Sequence, residues 1–224
     1  MPYLVVAFFL LIAALVVSLI RIGIRQQRER VEAFQQLAAR LGWTYLEHVD
    51  FDAVPDLDRF ELFNSGRAKR LGNLLTSPAG ERRAILFDYR YTTGSGKSSH
   101  THHQTVFYAT SDGLDLPTFS LRPENFLHRF AQRFGYQDLD FSERPEFSRM
   151  FLLRGEDEAG LRTSFNDAVL RFFEARPGTC AAAIGDELLL WKPGKYATAA
   201  EAERLIQEGD ALALRFLGRG ESVA

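Results

Sequence analysis

The stretch RRAILFDYRYTTGSGKSSHTHHQTVFYAT, Arg82 to Thr110, decides how the chain reads. Two runs rich in β-branched and aromatic residues flank a Gly, Ser and Lys cluster, the pattern of an antiparallel hairpin. Upstream, Arg67 to Leu75 reads as a strand separated from it by Ser-Pro-Ala-Gly, and Phe60 to Phe63 and Trp43 to Leu46 read as shorter strands. Downstream, Phe119 to Leu121 adds one more. This half of the chain is expected to be an antiparallel meander.

The remainder is richer in helix. Pro123 suits the first position of a helix with Phe126, Leu127, Phe130, Ala131 and Phe134 on its apolar face and Gly135 at its end. Glu156, Asp157 and Glu158 suit the positive end of a second helix, which presents Leu161, Phe165, Val169, Phe172 and Phe173. Thr179 to Ile184 and Glu187 to Lys192 form a hairpin about Gly185 and Asp186, a pair suited to a type II′ turn. Thr198 with Glu201 spells a capping box that opens the last helix. FSLRPEN from Phe119 and FLLRGED from Phe151 share four residues of seven, an echo too short to make a repeat protein. The expected class is α+β: an N-terminal transmembrane helix, then an antiparallel sheet of meander plus C-terminal hairpin, packed by about three helices.

Between Tyr3 and Ile20 only Ser18 lies outside the hydrophobic class, and 18 residues make about 27 Å of helix, enough to cross a bilayer. A signal peptide has basic residues before its apolar run and small residues at a cleavage site after it. Here the order is reversed, because Arg21, Arg25, Arg28 and Arg30 follow the segment. The positive-inside rule then places the N-terminus outside and the rest in the cytoplasm. Val31, Phe34, Leu37, Ala38 and Leu41 recur with a helical period, and Gly42 supplies the stop. The organisation read from this is a transmembrane helix over 3–20, a basic amphipathic juxtamembrane helix over 21–41 and one α+β domain over 42–224. The arginines read as topogenic residues and solvated helix surface.

Charge narrows the partners. The whole chain carries −2, but after Arg40 it has 22 Lys and Arg against 27 Asp and Glu. A domain this acidic is unsuited to nonspecific nucleic-acid binding. Cys180 is the sole cysteine, so no intrachain disulfide forms, which suits a reducing compartment. On an apolar strand it reads as a small packed residue.

TGSGKSS, Thr93 to Ser99, invites a phosphate-loop reading, but the leading glycine that motif needs falls on Tyr91, and no helix follows. The histidines are stronger candidates. If the hairpin turned about Ser95 to Lys97, Asp88, Arg90 and Thr92 would face Gln104, His102 and His100, gathering two imidazoles and a carboxylate on one face. Such a set can hold zinc or iron(II), giving a metal-binding or metal-dependent hydrolase reading on His100, His102 and Asp88. Arg90 among the ligands opposes a cation, and a one-residue slip of register removes Asp88 from the face. A polar, hydrogen-bonded strand face is the competing reading. No catalytic motif and no cofactor are indicated elsewhere.

The segments FDYRYTTGSGK from Phe87, HQTVFY from His103 and FSLRPE from Phe119, behind one N-terminal span, resemble a group of bacterial single-pass membrane proteins without assigned chemistry. The resemblance implies an inner-membrane location and carries no functional residue. The reading that results is a membrane-anchored, non-enzymatic cytoplasmic module that binds a protein partner or ligand, with no nucleic acid and no cofactor.

Overall fold

Twelve alternating residues in Arg82–Thr93 and twelve in His100–Ser111 make the two long central strands, β3 and β4, and the rest of the protein is arranged about them. A computed structural model describes residues 2–54, 56–124 and 138–218, with side chains from residue 9. In chain order the elements are α1 (Pro2–Leu41), β1 (Thr44–Val49), α2 (Glu61–Asn64), β2 (Arg67–Thr76), β3, β4, β5 (Leu116–Pro123), α3 (Pro145–Met150), β6 (Phe151–Arg154), α4 (Glu158–Ser164), α5 (Asp167–Glu174), β7 (Cys180–Gly185), β8 (Glu187–Trp191) and α6 (Ala199–Phe216).

The eight strands among the described residues form one antiparallel sheet in the order β1-β2-β3-β4-β8-β7-β5-β6. The meander β1 to β4 is sequential, and the late hairpin β7–β8 inserts between β4 and β5. Its turn has Gly185 at φ 61°, the left-handed conformation that the first central position of a type II′ turn requires. The two echoing segments lie side by side, with Leu121 opposite Leu153.

The sheet is covered on both faces. One face, with Leu86, Phe107, Leu188 and Leu190, packs against α1, α4, α5 and α6. The other, with Phe87, Tyr89, Tyr108 and Leu189, is covered by the segment from Val54 to Phe63. That segment differs from its sequence reading. Phe60 to Phe63 alternates like a strand, yet it forms the single turn α2 after two 3₁₀ turns. Phe60, Leu62 and Phe63 are all buried against the sheet, and a flat strand would bury only alternate side chains.

Two further differences concern helices. Pro123 closes β5, opposite Phe151, instead of opening a helix; the helix expected over Phe126 to Gly135 lies outside the described residues. The helix expected over Leu161 to Phe173 is divided into α4 and α5. Asn166 makes the division, since its side chain accepts from the backbone N–H groups of Ala168 and Val169 and so starts a new helix.

The last helix starts as its sequence spells it. Thr198 Oγ1 accepts from Glu201 N, and Glu201 Oε2 accepts from Thr198 N at 2.8 Å. The hydrogen bond from the Thr198 backbone, then Lys195, holds the Glu201 carboxyl down to about 2. A depressed folded value stabilises above the unfolded one near pH 4 and is lost as pH falls toward 2. Thr198→Ala is expected to cost about 1 kcal/mol. Urea unfolding of the full chain in micelles at neutral pH measures it, and the pH dependence contributed by Glu201 between about pH 4 and about pH 2 should remain in the variant, because the main bond to its carboxylate comes from the Thr198 backbone.

Candidate functional site

Helix α1 runs from Pro2 to Leu41 without interruption, about 60 Å. It contains an 18-residue window of mean hydropathy 1.9, none of it buried, so this helix is long and apolar enough to cross a membrane. Its other end belongs to the core. Phe34, Leu37 and Ala38 are at most 2% exposed, and burying a side chain such as Phe34 or Leu37 stabilises by about 1.5–3 kcal/mol. One turn before Phe34, on the same stripe, stands Arg30.

Arg30 reaches the interior of the sheet. Its Nη2 donates to Asp88 Oδ1 and Oδ2 at 3.0 and 2.8 Å, and its Nη1 donates to the Ala197 carbonyl. Its guanidinium lies 4.5 Å from the ring centre of Phe34 and 5.4 Å from that of Tyr196. Asp88 is 3% exposed and holds two more donors. Thr105 Oγ1 donates to Oδ1 at 2.5 Å, and Asn73 Nδ2 donates to Oδ2 at 2.9 Å. Asn73 can do so because it occupies a bulge in β2 at φ 47°, a conformation Asn tolerates better than most residues. Tyr45 on β1 then donates to Asn73 Oδ1 at 2.7 Å, and Ala197 N donates to Thr105 Oγ1 at 2.9 Å. The cluster thus ties α1, β1, β2, β3, β4 and the loop before α6 together at one point.

Electrostatics make this point asymmetric. Burial pushes the Asp88 carboxyl above the ordinary carboxylate range; the charge of Arg30 and the bonds from Thr105, Asn73 and Arg30 oppose it. The Arg30 side chain keeps 19% exposure against 4% for that of Asp88, so the arginine has a route to water and the carboxylate has none.

This arrangement corrects the expected metal set. The β3–β4 register pairs Asp88 with Thr105, Arg90 with His103 and Thr93 with His100, one residue away from the pairing with Gln104, Arg90 with His102 and Thr92 with His100. Asp88 therefore points to the α1 face, and His100 and His102 point to the other. Among the described residues no group of three His, Cys, Asp or Glu gathers as a ligand set. The reason is the loop: Gly94 to Ser99 contains a 3₁₀ turn at Gly96–Ser98, and its length sets the odd register.

The two histidines join an aromatic row instead. Tyr89 stacks on Tyr91 at 5.3 Å, Tyr91 on His102 at 4.7 Å, and His102 meets His100 edge-on at 4.7 Å. His102 Nε2 shares a 2.8 Å hydrogen bond with Thr93 Oγ1. On the same face a cleft of about 20 Å³, space for one water, is lined by Tyr91, Gln104, Cys180 and Trp191 among others. Gln104 Nε2 has no partner there among the described residues.

Burial pushes the Cys180 thiol up to about 12, so the nucleophilic thiolate is scarce at neutral pH. Cys180 is expected to resist a thiol reagent in the folded full chain and to react fully in denaturant. Rapid labelling of folded protein would contradict this packing.

A second ion pair, buried on its carboxylate side, secures the opposite face. Glu187, 4% exposed, accepts from Arg59 at 2.7 Å and from the Tyr108 hydroxyl at 2.7 Å, which fastens the covering segment to the sheet.

Arg30 is thus more than the topogenic surface that its sequence context suggests. The signal that distinguishes it is its position four residues before Phe34 and seven before Leu37, which puts a charge on the apolar stripe, together with an Asp inside the apolar run AILFDY.

No family model matches the chain, and no curated protein sequence matches it. Among solved structures, the crystal structure of the mycobacterial trehalose monomycolate transport factor A, TtfA, is similar with a TM-score of 0.56 at 10% identity, covering 88% of this chain and 97% of that one. A likeness at this identity is one of fold.

Proposed function

We propose that the protein is a membrane-anchored, non-enzymatic interaction module that holds a protein partner at the bacterial inner membrane. The anchor is a single span, with its N-terminus outside and the α+β domain in the cytoplasm. The observation that carries this reading is the union of span and domain in one helix, secured by Arg30 on buried Asp88. A flexible tether only raises local concentration. A helix fixed into a core also fixes height and orientation, which is what docking on a membrane-embedded partner uses. The fold likeness to a transport factor is compatible with an accessory, non-enzymatic role.

The test is photocrosslinking in cells, with full chain and with a variant carrying a flexible Gly-Ser insertion between Gln26 and Gln27. Wild type is expected to capture a specific membrane protein. The insertion variant should remain in the membrane and lose that product. Recovery of only bulk abundant proteins, or equal capture by both, would sink the proposal. Topology has a separate readout: a C-terminal reporter active only in the periplasm is expected to stay silent, and a strong signal would overturn the cytoplasmic placement.

A further inference from the structure

The Arg30–Asp88 contact also sets which end of the sheet meets the membrane. From Arg30 to Leu41, α1 runs away from the β3–β4 hairpin. Arg30 is at the level of Asp88, Arg40 pairs with Glu203 at 2.7 Å one turn into α6, and α6 continues until Asp210 meets Arg82 at the start of β3. After α1 the chain re-enters the sheet at Thr44, opposite Thr76, which pairs with Ile85. Followed backward from Arg30, α1 therefore rises past Arg90 and Thr92 toward the hairpin tip.

The heights match. Ten residues of helix from Arg30 back to Ile20 span about 15 Å, and five residues of strand from Asp88 to Thr93 span about 17 Å. The loop Gly94–Ser99 consequently lies level with the end of the apolar segment, where Arg21 begins the basic run. This loop and His100 are exposed. It is also braced: Arg67 donates to the Gly94 carbonyl at 2.8 Å and to Ser99 Oγ at 3.2 Å.

Charge follows the same axis. At this end of the sheet the segments 67–70, 90–104 and 192–196 carry seven Lys and Arg and no Asp or Glu. At the far end, 81–83, 111–115 and 185–187 carry five Asp and Glu and two Arg. The turns and strand ends named are thus polarised, basic on the side of the hairpin tip and acidic on the other, while on the basic side Asp50 and Asp52 follow β1 and Glu201 pairs with Lys195. Small hydroxyl residues and backbone amides at Ser95, Ser98 and Ser99 suit phosphate oxygens, and basic residues within a Debye length of an anionic surface are attracted to it.

We infer that the β3–β4 hairpin tip, centred on Lys97 and braced by Arg67, is a contact site for anionic phospholipid headgroups, forming a second point of attachment beside α1. This rests on the membrane-anchor reading of α1. Two points of contact restrict tilt of the domain about the helix, which one point leaves open.

The test places single fluorescent probes on the full chain at Ser98→Cys, Asp112→Cys and Val16→Cys, with buried Cys180 unlabelled. Each is reconstituted in nanodiscs of phosphatidylcholine alone or of equal phosphatidylcholine and phosphatidylglycerol. Acyl-chain quenchers are expected to reach Val16, headgroup quenchers Ser98, and only aqueous quenchers Asp112. Headgroup quenching at Ser98 should be stronger with phosphatidylglycerol, and Lys97→Glu should reduce that preference roughly fivefold or more, the effect of one basic residue at an anionic surface. If Val16 is quenched from the acyl chains but Ser98 is as open to water as Asp112, the headgroup site is refuted and the anchor stands. If Ser98 contacts headgroups equally in both lipids, the anionic specificity is refuted. If Val16 is open to water, the anchor fails and the site fails with it.

Discussion

Arg30→Ala is expected to destabilise the full chain by about 3–5 kcal/mol at neutral pH, the cost of removing one partner from a buried ion pair. The loss comes mainly from Asp88. That carboxylate, 3% exposed in the wild type, then keeps only Thr105 and Asn73 as side-chain donors. Its remaining burial raises the folded value further above the unfolded one near 4. A raised carboxyl value means the unfolded state releases its proton first, so stability declines as pH rises from the unfolded value to the folded one. Arg30→Ala should therefore be least impaired near the unfolded carboxyl value, about pH 4, and increasingly impaired as pH rises above it. Combining it with Asp88→Asn removes the stranded charge, and the pair should be less damaging than Arg30→Ala alone. Urea titrations in micelles, followed by the buried Trp191, measure all of these. A loss below about 1 kcal/mol with no pH dependence would show that the pair is only surface decoration.

Phe165→Ala is expected to cost about 3–5 kcal/mol, for a different reason. Phe165 is 1% exposed at the break between α4 and α5, and its ring lies 5.0 Å from Phe119, 5.7 Å from Phe216 and 6.1 Å from Phe173. It joins the sheet, α5 and α6 in one aromatic cluster. Truncation leaves a cavity bounded by elements that are each held elsewhere, so they cannot close on it. Phe165→Leu keeps most of the volume and should cost less than about 1.5 kcal/mol. The same titrations separate the two variants, and equal small losses would mean the cluster is loosely packed. Unlike Arg30→Ala, the cavity variant should show no added pH dependence, since no ionisable group loses a partner.

The two ion-pair and cavity sites differ in how plainly the sequence announces them. Phe165 lies on a helical apolar stripe and was legible as core. The strands of the central hairpin, the type II′ turn at Gly185 and the capping box at Thr198 were legible for the same reason, because each is decided by residues close in sequence. What decided the candidate site was not local. The register of β3 on β4 depends on a six-residue loop, and a shift of one residue moves Asp88 from the histidines to Arg30. Asn73 enters only because β2 bulges, and Ala197 only because the chain returns to β4 after β8. Phe60 to Phe63 misreads for a similar reason: its alternation is that of a strand, and the need to cover an open sheet face overrides it.

These pieces give α1 a role beyond attachment. A span followed by a flexible segment would leave the domain free above the bilayer. Here the same helix contributes Phe34 and Leu37 to the core and Arg30 to the buried cluster. The features expected to matter for partner binding are therefore mechanical ones, orientation and height, set by residues far from any partner.

The measurement that addresses this most directly is the distance between spin labels at Gln27→Cys on α1 and Glu81→Cys at the far end of the sheet, taken by pulsed electron resonance on the full chain in nanodiscs. A helix built into the domain gives one narrow distance distribution in wild type and a broad one in Arg30→Ala. A broad distribution in wild type, unchanged by Arg30→Ala, would contradict a fixed helix and leave α1 as a simple tether.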